Sequence, residues 1–176
     1  FYDLMRAQKI PESSITYGIL IKAYGKANDF ENAQRIFDKM IASNMPINEM
    51  TYGCILDACA KSGRMDVAMR IFDSLKNSNS NMNSIVFTTI IKGYMNSESY
   101  EKAISFFQSV RPLVDLPGMI ITYNCMLDLY VKKNDMKAAE ELFKEIETRF
   151  KADLISYSTI IKGLCNNNRK EEAWGY

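Results

Sequence analysis

The chain has 176 residues, of which 47% are hydrophobic and 24% are charged; this composition is typical of a folded protein and excludes broad disorder. Lys and Arg number 22 against 21 Asp and Glu, so the net charge is +1, which gives no global attraction to a polyanion. The longest apolar runs, such as Ile19 to Ile21, are far shorter than the roughly 20 residues that span a bilayer, so no membrane segment is predicted.

The first clear pair of predicted elements begins near Thr16, a residue that suits the N-cap region of a helix. Apolar residues then recur at spacings of three and four, which predicts an amphipathic helix. They are Tyr17, Leu20, Ile21 and Tyr24. A second helix follows the turn signals at residues 25 to 29 and ends before Pro46. Its apolar face consists of Ala33, Ile36, Phe37 and Met40.

This helix pair recurs along the whole chain. The opening Ile15-Thr16-Tyr17-Gly18 has equivalents that begin at Met50, Ile85, Ile121 and Ile155, at successive shifts of 35, 35, 36 and 34 residues. An alanine keeps the same phase at Ala33, Ala68, Ala103, Ala139 and Ala173, and an aromatic follows the first four of them by four residues. A pair of short helices has no interior of its own, so neighbouring pairs must cover its apolar faces. The predicted fold is therefore an all-α solenoid of antiparallel helix pairs.

The motif distinguishes between families of helical repeat. The tetratricopeptide repeat, of about 34 residues, fits poorly, because Trp174 is the only tryptophan and no W-x-x-L-G recurs. The chain instead resembles the pentatricopeptide repeat family: Thr-Tyr opens the first helix, the alanine and aromatic mark the second, and the units centre on 35 residues. The resemblance covers essentially the whole chain and implies a right-handed superhelix.

In the frame of that family, residues 1 to 13 are interpreted as the second helix of a truncated unit and residues 154 to 176 as a partial unit. The complete units are 14 to 48, 49 to 83, 84 to 119 and 120 to 153. The unit 84 to 119 is one residue too long, which leaves open whether Gly118 or Met119 is its last functional residue. Because both ends cut a unit, we expect a segment of a longer protein, with end-to-end self-association through the uncovered apolar faces.

The resemblance implies single-stranded RNA as the partner, held along the first helices at about one base per unit. The second residue of each unit would clamp a base by apolar packing, without sequence preference. These residues are Ile15, Met50, Ile85, Ile121 and Ile155. The alternative is that they are ordinary core residues.

The fifth and last residues of each unit are implied to read the base edge by hydrogen bonding. The pairs are Gly18 with Asn48, Gly53 with Asn83, Thr88 with Met119, and Asn124 with Asp153, and Ser158 follows without a partner. The family pattern implies uracil for Asn124 with Asp153, weakened adenine preferences for the two Gly pairs, and poor discrimination for Thr88. The implied target is A-A-N-U, read 5′ to 3′, followed by a purine if Ser158 contributes. An ionised Asp153 only accepts hydrogen bonds, so we expect it to orient Asn124 or a bridging water.

Lys26, Lys61 and Lys132 share one phase, at which the family places a lysine near the phosphates. Aligned cations of this kind matter more for phosphate binding than net charge does. Asn96 and Asn166 interrupt the row, and Asp57 and Asp128 lie close by in the first helices. The alternative is that these lysines are ordinary solvated surface.

No catalytic residue, cofactor or small-molecule substrate is predicted, because the chain has no histidine, no phosphate-binding loop and no G-x-S-x-G. No metal site is predicted either, because the cysteines are never spaced C-x-x-C; we interpret them as small buried hydrophobes. They are Cys54, Cys59, Cys125 and Cys165. The alternative function is a protein-binding scaffold, since helix-pair solenoids also bind peptides. By family resemblance, we expect a mitochondrial or plastid location and a role in RNA processing, stability or translation.

Overall fold

A computed structural model describes residues 13 to 77, 83 to 113 and 118 to 176. Its helices are α1 (Ser14–Lys26), α2 (Phe30–Ala42), α3 (Glu49–Lys61), α4 (Met65–Asn77), α5 (Ser84–Asn96), α6 (Tyr100–Val110), α7 (Met119–Lys132), α8 (Met136–Arg149), α9 (Leu154–Asn166) and α10 (Lys170–Ala173). A short 3-10 helix, Arg111–Leu113, follows α6. Every regular element in these ranges is helical, as predicted, and none of the helices has both the length and the hydropathy of a membrane span.

The chain divides into two compact units, Phe1–Asp73 and Ser74–Tyr176. In the first unit, α1 packs against its partner α2 and against α3, the first helix of the next pair. In the second unit, α7 packs against the first helices α5 and α9 of the neighbouring pairs, while α6 and α8 pack against their own first helices. Helix pairs therefore stack on helix pairs within each unit, which confirms the predicted solenoid class.

The first helices begin at Ser14, Glu49, Ser84, Met119 and Leu154, at constant intervals of 35 residues. Four of these starts share one capping device, in which a side-chain oxygen accepts the backbone N–H three residues further on. The capping residues are Ser13, Asn48, Asn83 and Asp153. At Asp153 the Ser156 hydroxyl also accepts the cap's own N–H, which completes a capping box.

The turn inside each helix pair contains one residue with positive φ. These residues are Asn28 (56°), Gly63 (72°), Glu98 (53°), Asn134 (62°) and Asn168 (58°). Glycine has no Cβ to clash in this left-handed conformation, and asparagine tolerates it better than most residues do. Glu98 has neither advantage, so its turn is the weakest of the five.

Most of the predicted core positions are buried, whereas Leu20 and Tyr24 are half-buried. The phased residues Ala33, Ala68, Ala103 and Ala139 are at most 1% exposed, so their small side chains let helices approach closely. In three of the second helices, α2, α6 and α8, an aromatic ring also meets, edge to face, a ring of the next first helix. The ring centroids lie 5.8 Å apart for Phe37 and Tyr52, 5.0 Å for Phe107 and Tyr123, and 5.3 Å for Phe143 and Tyr157. These contacts join consecutive pairs.

The start of α7 favours Gly118 over Met119 as the last residue of the repeat that was predicted to span 84 to 119. Gly118, with a φ of 78°, occupies the N-cap position of α7, so the preceding repeat ends there and has the ordinary length. The additional residue lies within α7, which has 14 residues where α1, α3, α5 and α9 have 13. The predicted unpartnered helix at residues 1 to 13 falls, apart from Ser13, outside the described residues.

Candidate nucleic-acid interface

Each first helix carries an exposed aliphatic residue close to its N-terminus. Ile15, Met50, Ile85, Ile121 and Ile155 are between 55% and 71% exposed. The alternative that these residues belong to the core is therefore wrong. They provide an apolar contact point at the same place in every helix pair.

A polar contact between consecutive first helices lies beside these aliphatic residues. In the first unit, a Cβ added to Gly18 on α1 would lie 2.7 Å from Oγ1 of Thr51 on α3. The Thr51 hydroxyl donates to Oδ1 of Asn48 across 2.9 Å, and the Thr51 backbone N–H donates to the same oxygen, also at 2.9 Å. Thr51 therefore bridges the predicted pair Gly18 and Asn48, and a side chain at Gly18 would require Thr51 to move.

The corresponding contact between α5 and α7 is a pair of hydroxyl groups. Oγ1 of Thr88 lies 3.0 Å from Oγ1 of Thr122, and the Thr122 hydroxyl donates to the carbonyl of Ser84 at 3.4 Å. Either hydroxyl can be the donor in the bond between Thr88 and Thr122. Both threonines are buried, so the Thr88 hydroxyl is largely occupied by the next helix.

The contact between α7 and α9 has the most hydrogen bonds. Nδ2 of Asn124 donates to Oδ1 of Asp153 across 3.0 Å, and Oδ1 of Asn124 accepts from the Ser156 hydroxyl at 2.7 Å. The Ser156 backbone N–H donates to the same Asp153 oxygen at 2.9 Å. The carboxylate thus orients the Asn124 amide directly. Asn124 retains one amide N–H and one carbonyl lone pair beyond these bonds, so it offers a donor beside an acceptor.

The charge state of Asp153 follows from these contacts. Burial alone would raise its pKa, but hydrogen bonds from the backbone and hydroxyl of Ser156 and from the amide of Asn124 bring the pKa below the ordinary value. The carboxylate is therefore ionised at neutral pH and acts only as an acceptor.

The other predicted base-reading residues have different surroundings. Gly53 is half-buried. Asn83 caps α5 and accepts the backbone N–H of Val86 at 3.1 Å. Ser158 is exposed, and its hydroxyl donates to the carbonyl of Ile155 at 3.1 Å.

The prediction that Met119 reads a base edge is wrong. Met119 is the first residue of α7 and is only 1% exposed, because its side chain is part of the core. Gly118 occupies the cap position instead and has no side chain to offer. A Cβ added to Gly118 would lie 2.6 Å from Oγ of Ser84, so the space beside it is already filled.

The predicted phosphate-binding lysines lie at the C-terminal ends of first helices. Lys26, Lys61 and Lys132 are all exposed. However, Nζ of Lys61 is 2.7 Å from a carboxylate oxygen of Asp57, and Nζ of Lys132 is 2.8 Å from one of Asp128. The hydrogen bond to Asp128 raises the pKa of Lys132. Two of the three predicted cations are thus paired with a carboxylate one turn earlier on their own helix.

Two parts of this surface were missed from the sequence. Thr51 and Ser156 connect base-reading positions to the next helix, and their signal was a hydroxyl residue three positions after an Asn or Asp cap. Three further exposed lysines precede the predicted phosphate row by one helical turn. They are Lys22, Lys92 and Lys162, which follow one another at intervals of 70 residues.

The cysteines show no arrangement for metal binding or catalysis. Burial raises the pKa of Cys59 to about 12 and that of Cys125 to about 11, so both thiols are neutral core groups. Cys54 is half-buried, and Cys165 is exposed, so the prediction of burial is wrong for Cys165. Within the ranges that the structure covers, no three His, Cys, Asp or Glu side chains form a metal site.

Comparison with protein families gives matches over most of the chain. A model described as the PPR repeat family matches residues 12–61, 47–96 and 119–166. A second model, described as the PPR repeat, matches residues 85–111. No curated protein matches the chain.

Several solved structures share the fold. The pentatricopeptide repeat protein PPR10 from maize is 19% identical, with a TM-score of 0.78 over 99% of this chain and 25% of that chain. PPR10 in complex with an 18-nt psaJ RNA element is 18% identical, with a TM-score of 0.79 over 99% of this chain and 26% of that one. The PPR domain of Arabidopsis thaliana protein-only RNase P 1 in complex with tRNA is 14% identical, with a TM-score of 0.66 over 88% of this chain and 83% of that chain. The present chain thus spans about a quarter of PPR10.

Proposed function

Because the chain belongs to the pentatricopeptide repeat family, we propose that it binds single-stranded RNA along its first helices, at about one base per repeat. One observation carries the proposal: an exposed aliphatic side chain lies beside an ordered polar contact at the same point of successive helix pairs. The relatives crystallised with an RNA element and with tRNA support RNA as the ligand class.

The exposed aliphatic residues supply affinity. Ile121 and Ile155 precede Asn124 and Ser158 by three residues, so each clamp lies on the same helix face as a base-reading position. A base that packs between two such side chains removes apolar surface from water, at roughly 25 cal/mol per Å². Every base has such a surface, so this contact is independent of sequence.

Asn124 supplies base specificity. Asp153 and Ser156 hold its amide in one orientation before RNA arrives, which reduces the entropy lost on binding. A uracil edge presents an N–H donor next to a carbonyl acceptor, which complements the remaining acceptor and donor of Asn124. We therefore assign uracil to the repeat that contains Asn124.

The remaining repeats discriminate less. Gly18 and Gly53 contribute no side chain, and Oδ1 of both Asn48 and Asn83 is used for helix capping. Each Asn keeps its Nδ2 donors, which suit an adenine ring nitrogen and support a weak adenine preference. Thr88 is engaged by Thr122 and has no polar partner at Gly118, so its repeat accepts any base. The proposed target remains A-A-N-U.

The biological setting in this proposal rests on the family resemblance: RNA processing, stability or translation in a mitochondrion or plastid. The proposal assigns no catalytic role to the residues of this chain. The rival function is a protein-binding scaffold, and it predicts retention of peptides in place of RNA.

Fluorescence anisotropy tests the proposal, using a labelled pool of randomised single-stranded RNA, a duplex RNA of equal length and a peptide library. We expect saturable binding of the single strands that weakens linearly with the logarithm of salt concentration. Introducing Ile85→Asp and Ile121→Asp together should abolish this binding. Both residues are exposed, so the variant should fold.

The matched control is Ile41→Asp, because Ile41 is 53% exposed and lies on the second helix α2. This variant should bind RNA like the wild type. Equal loss in the control and in the double variant would contradict binding along the first helices. Retention of peptides without any RNA binding would establish the scaffold instead.

A further inference from the structure

The charge one turn before the predicted phosphate position alternates along the first helices of the second unit. It is carried by Lys92 on α5, Asp128 on α7 and Lys162 on α9. Resting on the RNA-binding function proposed above, we infer that Lys92 and Lys162, and not Lys132, hold the RNA phosphates in this unit. Phosphate contact then occurs on alternate repeats.

Lys132 is already paired with a carboxylate on its own helix. Its ammonium lies 2.8 Å from the Asp128 carboxylate, and both side chains belong to the last turns of α7. The distance is well inside the Debye length of about 8 Å at physiological ionic strength, so a phosphate at Lys132 also meets the charge of Asp128. The pair therefore offers little net attraction to a polyanion.

The two neighbouring first helices, α5 and α9, have their lysines at a different position from Lys132. α5 and α9 have Asn96 and Asn166 in the phase of Lys132, so neither has a cation at the position that the family pattern predicts. Each instead has an exposed lysine four residues earlier, at Lys92 and Lys162. The lysine in each of these repeats therefore lies one helical turn closer to the base-reading residue than the family pattern predicts.

Lys92 and Lys162 lie on the same helix face as base-reading positions. Lys92 follows Thr88 by four residues and Lys162 follows Ser158 by four, a spacing that puts side chains on one helix face. Lys92, Asp128 and Lys132 also share a neighbour. Burial is the main cause of the raised pKa of Cys125, but Lys92 and Lys132 lower that pKa and Asp128 raises it. The three charges are therefore all within electrostatic range of the Cys125 thiol.

The first unit repeats the alternation. On α1, Lys22 and Lys26 occupy both positions, whereas on α3 the pair Asp57 and Lys61 is closed at 2.7 Å. First helices with a lysine at the earlier position thus alternate, from α1 to α9, with first helices in which an aspartate at that position forms an ion pair with the following lysine. At the repeats with Asp57 and Asp128, the phosphate of the bound nucleotide then remains in solvent.

The experiment measures the salt dependence of binding to the randomised single-stranded RNA pool. Lys92→Gln with Lys162→Gln should reduce the magnitude of the negative slope of log K against log salt by about 1.4, because each contact to a single strand contributes about 0.7. If the curves converge at 1 M salt, this is about a 25-fold loss of affinity at 0.1 M. Lys132→Gln should change the slope by much less.

Asp128→Asn tests the proposal in the opposite direction, because it frees Lys132 without changing the size of the side chain. For this variant, the negative slope of log K against log salt should increase in magnitude by about 0.7, with about fivefold tighter binding at 0.1 M salt. Matched controls on the second helix α8 are the double variant Lys137→Gln with Lys144→Gln and the single variant Glu141→Gln, which make the same charge changes as the double lysine variant and Asp128→Asn at exposed positions. Both controls should bind like the wild type.

The outcomes separate the two proposals. A wild type that does not bind the pool overturns RNA binding itself, and this inference with it. A wild type that binds, with the largest loss from Lys132→Gln or no gain from Asp128→Asn, leaves RNA binding intact and overturns the alternate-repeat assignment. Equal effects from the α8 controls show that only overall charge matters, which also overturns it.

Discussion

The amide nitrogen of Asn124 lies 3.0 Å from a carboxylate oxygen of Asp153, although 29 residues separate the two in the sequence. The hydroxyl of Ser156 bonds to both side chains. The proposed uracil-reading amide is thus bonded to both members of the capping box at the start of the next first helix, Asp153 and Ser156. A substitution in this cluster should change both the choice of base and the stability of the fold.

The sharpest prediction concerns Asn124→Thr, which should change the base selected at this repeat from uracil to guanine, the preference that the family pattern implies for Thr with Asp. Thr88 shows that a threonine at this position reaches the hydroxyl of the next helix, so the fold should survive. Uracil should lose roughly 1 to 3 kcal/mol of binding free energy, by analogy with mismatched base pairs at DNA sites. Selection from the randomised RNA pool measures the change.

The converse variant is the control. Thr88→Asn recreates the amide in a repeat that ends in Gly118 and so lacks a carboxylate. It should not acquire a uracil preference. Selection of uracil by this variant, or of unchanged uracil by Asn124→Thr, would contradict the proposed role of the Asn124 and Asp153 pair.

The second prediction concerns acid stability. The pKa of Asp153 is lower in the folded protein than in the unfolded chain. Its stabilisation is therefore complete above the unfolded value of about 3.9 and disappears as the pH falls through the folded value. Asp153→Asn keeps a capping oxygen but loses the charge. It should be about 1 kcal/mol less stable at neutral pH, the difference between a charged and a neutral hydrogen bond.

Urea unfolding between about pH 3 and pH 7 tests this effect. The free energy of unfolding should fall less steeply in acid for Asp153→Asn than for the wild type. Asp73→Asn, an exposed substitution on α4, should retain the wild-type profile. Parallel acid profiles for the wild type and Asp153→Asn would show that the cap oxygen matters and its charge does not.

The third prediction uses the turn at Glu98, whose φ is 53°. Glu98→Asn should stabilise the protein by about 0.5 to 1 kcal/mol, because asparagine tolerates the left-handed conformation. For a chain of this size, the midpoint of thermal unfolding should rise by about 1 to 4 °C. Calorimetry measures it.

Gly63 provides the matched test of conformation. Its φ is 72°, and a Cβ added there meets no atom within 4 Å. Gly63→Ala should therefore destabilise the protein by about 1 kcal/mol through the backbone alone. A destabilising Glu98→Asn would mean that the Glu98 side chain makes contacts that outweigh its strained backbone.

The fourth prediction concerns the glycine at the first base-reading position. A side chain at Gly18 would lie 2.7 Å from Oγ1 of Thr51, so Gly18→Ser should cost about 1 to 3 kcal/mol through overpacking. Adding Thr51→Ala should recover most of this loss. A double-mutant cycle by urea unfolding measures the coupling, and additive effects would show that the two residues do not meet.

The fifth prediction is self-association. Leu154 is 84% exposed and Trp174 is 90% exposed, and apolar surface of this size favours contact with another copy. The 176-residue chain should form higher species with increasing concentration in sedimentation velocity. Leu154→Lys with Trp174→Lys should reduce them, whereas Ile41→Lys should not. A monomer at every concentration would contradict the prediction.

The helix pairs and the core could be predicted from the sequence because each rests on a repeated local signal. The phase of Ala33 and Phe37 indicated the second helix, and the recurring Thr-Tyr indicated the start of the first. The aliphatic residue before Thr-Tyr was also identified, but whether Ile15 and its equivalents are exposed depends on packing that periodicity does not contain. Only the structure excluded the core alternative.

Met119 shows where the phase of the motif misleads. Counting back three residues from Thr122 gives Met119 as the last residue of a repeat, whereas the helix begins with Met119 because Gly118 adopts a positive φ. The ion pairs at Lys61 and Lys132 could not be established from the sequence for a related reason. The sequence showed that the lysines are in phase, but only side-chain geometry showed that Asp57 and Asp128 bond to them.

The bonds from Thr88 to Thr122 and from Asn124 to Ser156 each join residues from consecutive helix pairs. In both contacts, half of the hydrogen-bonded pair is therefore supplied by the neighbour downstream. Exchanging a whole repeat with one from another array would carry the reading residue to a new site without the hydroxyl that positions it. Engineers who recode such a protein should transplant the boundary between repeats, so that both halves of the contact travel together.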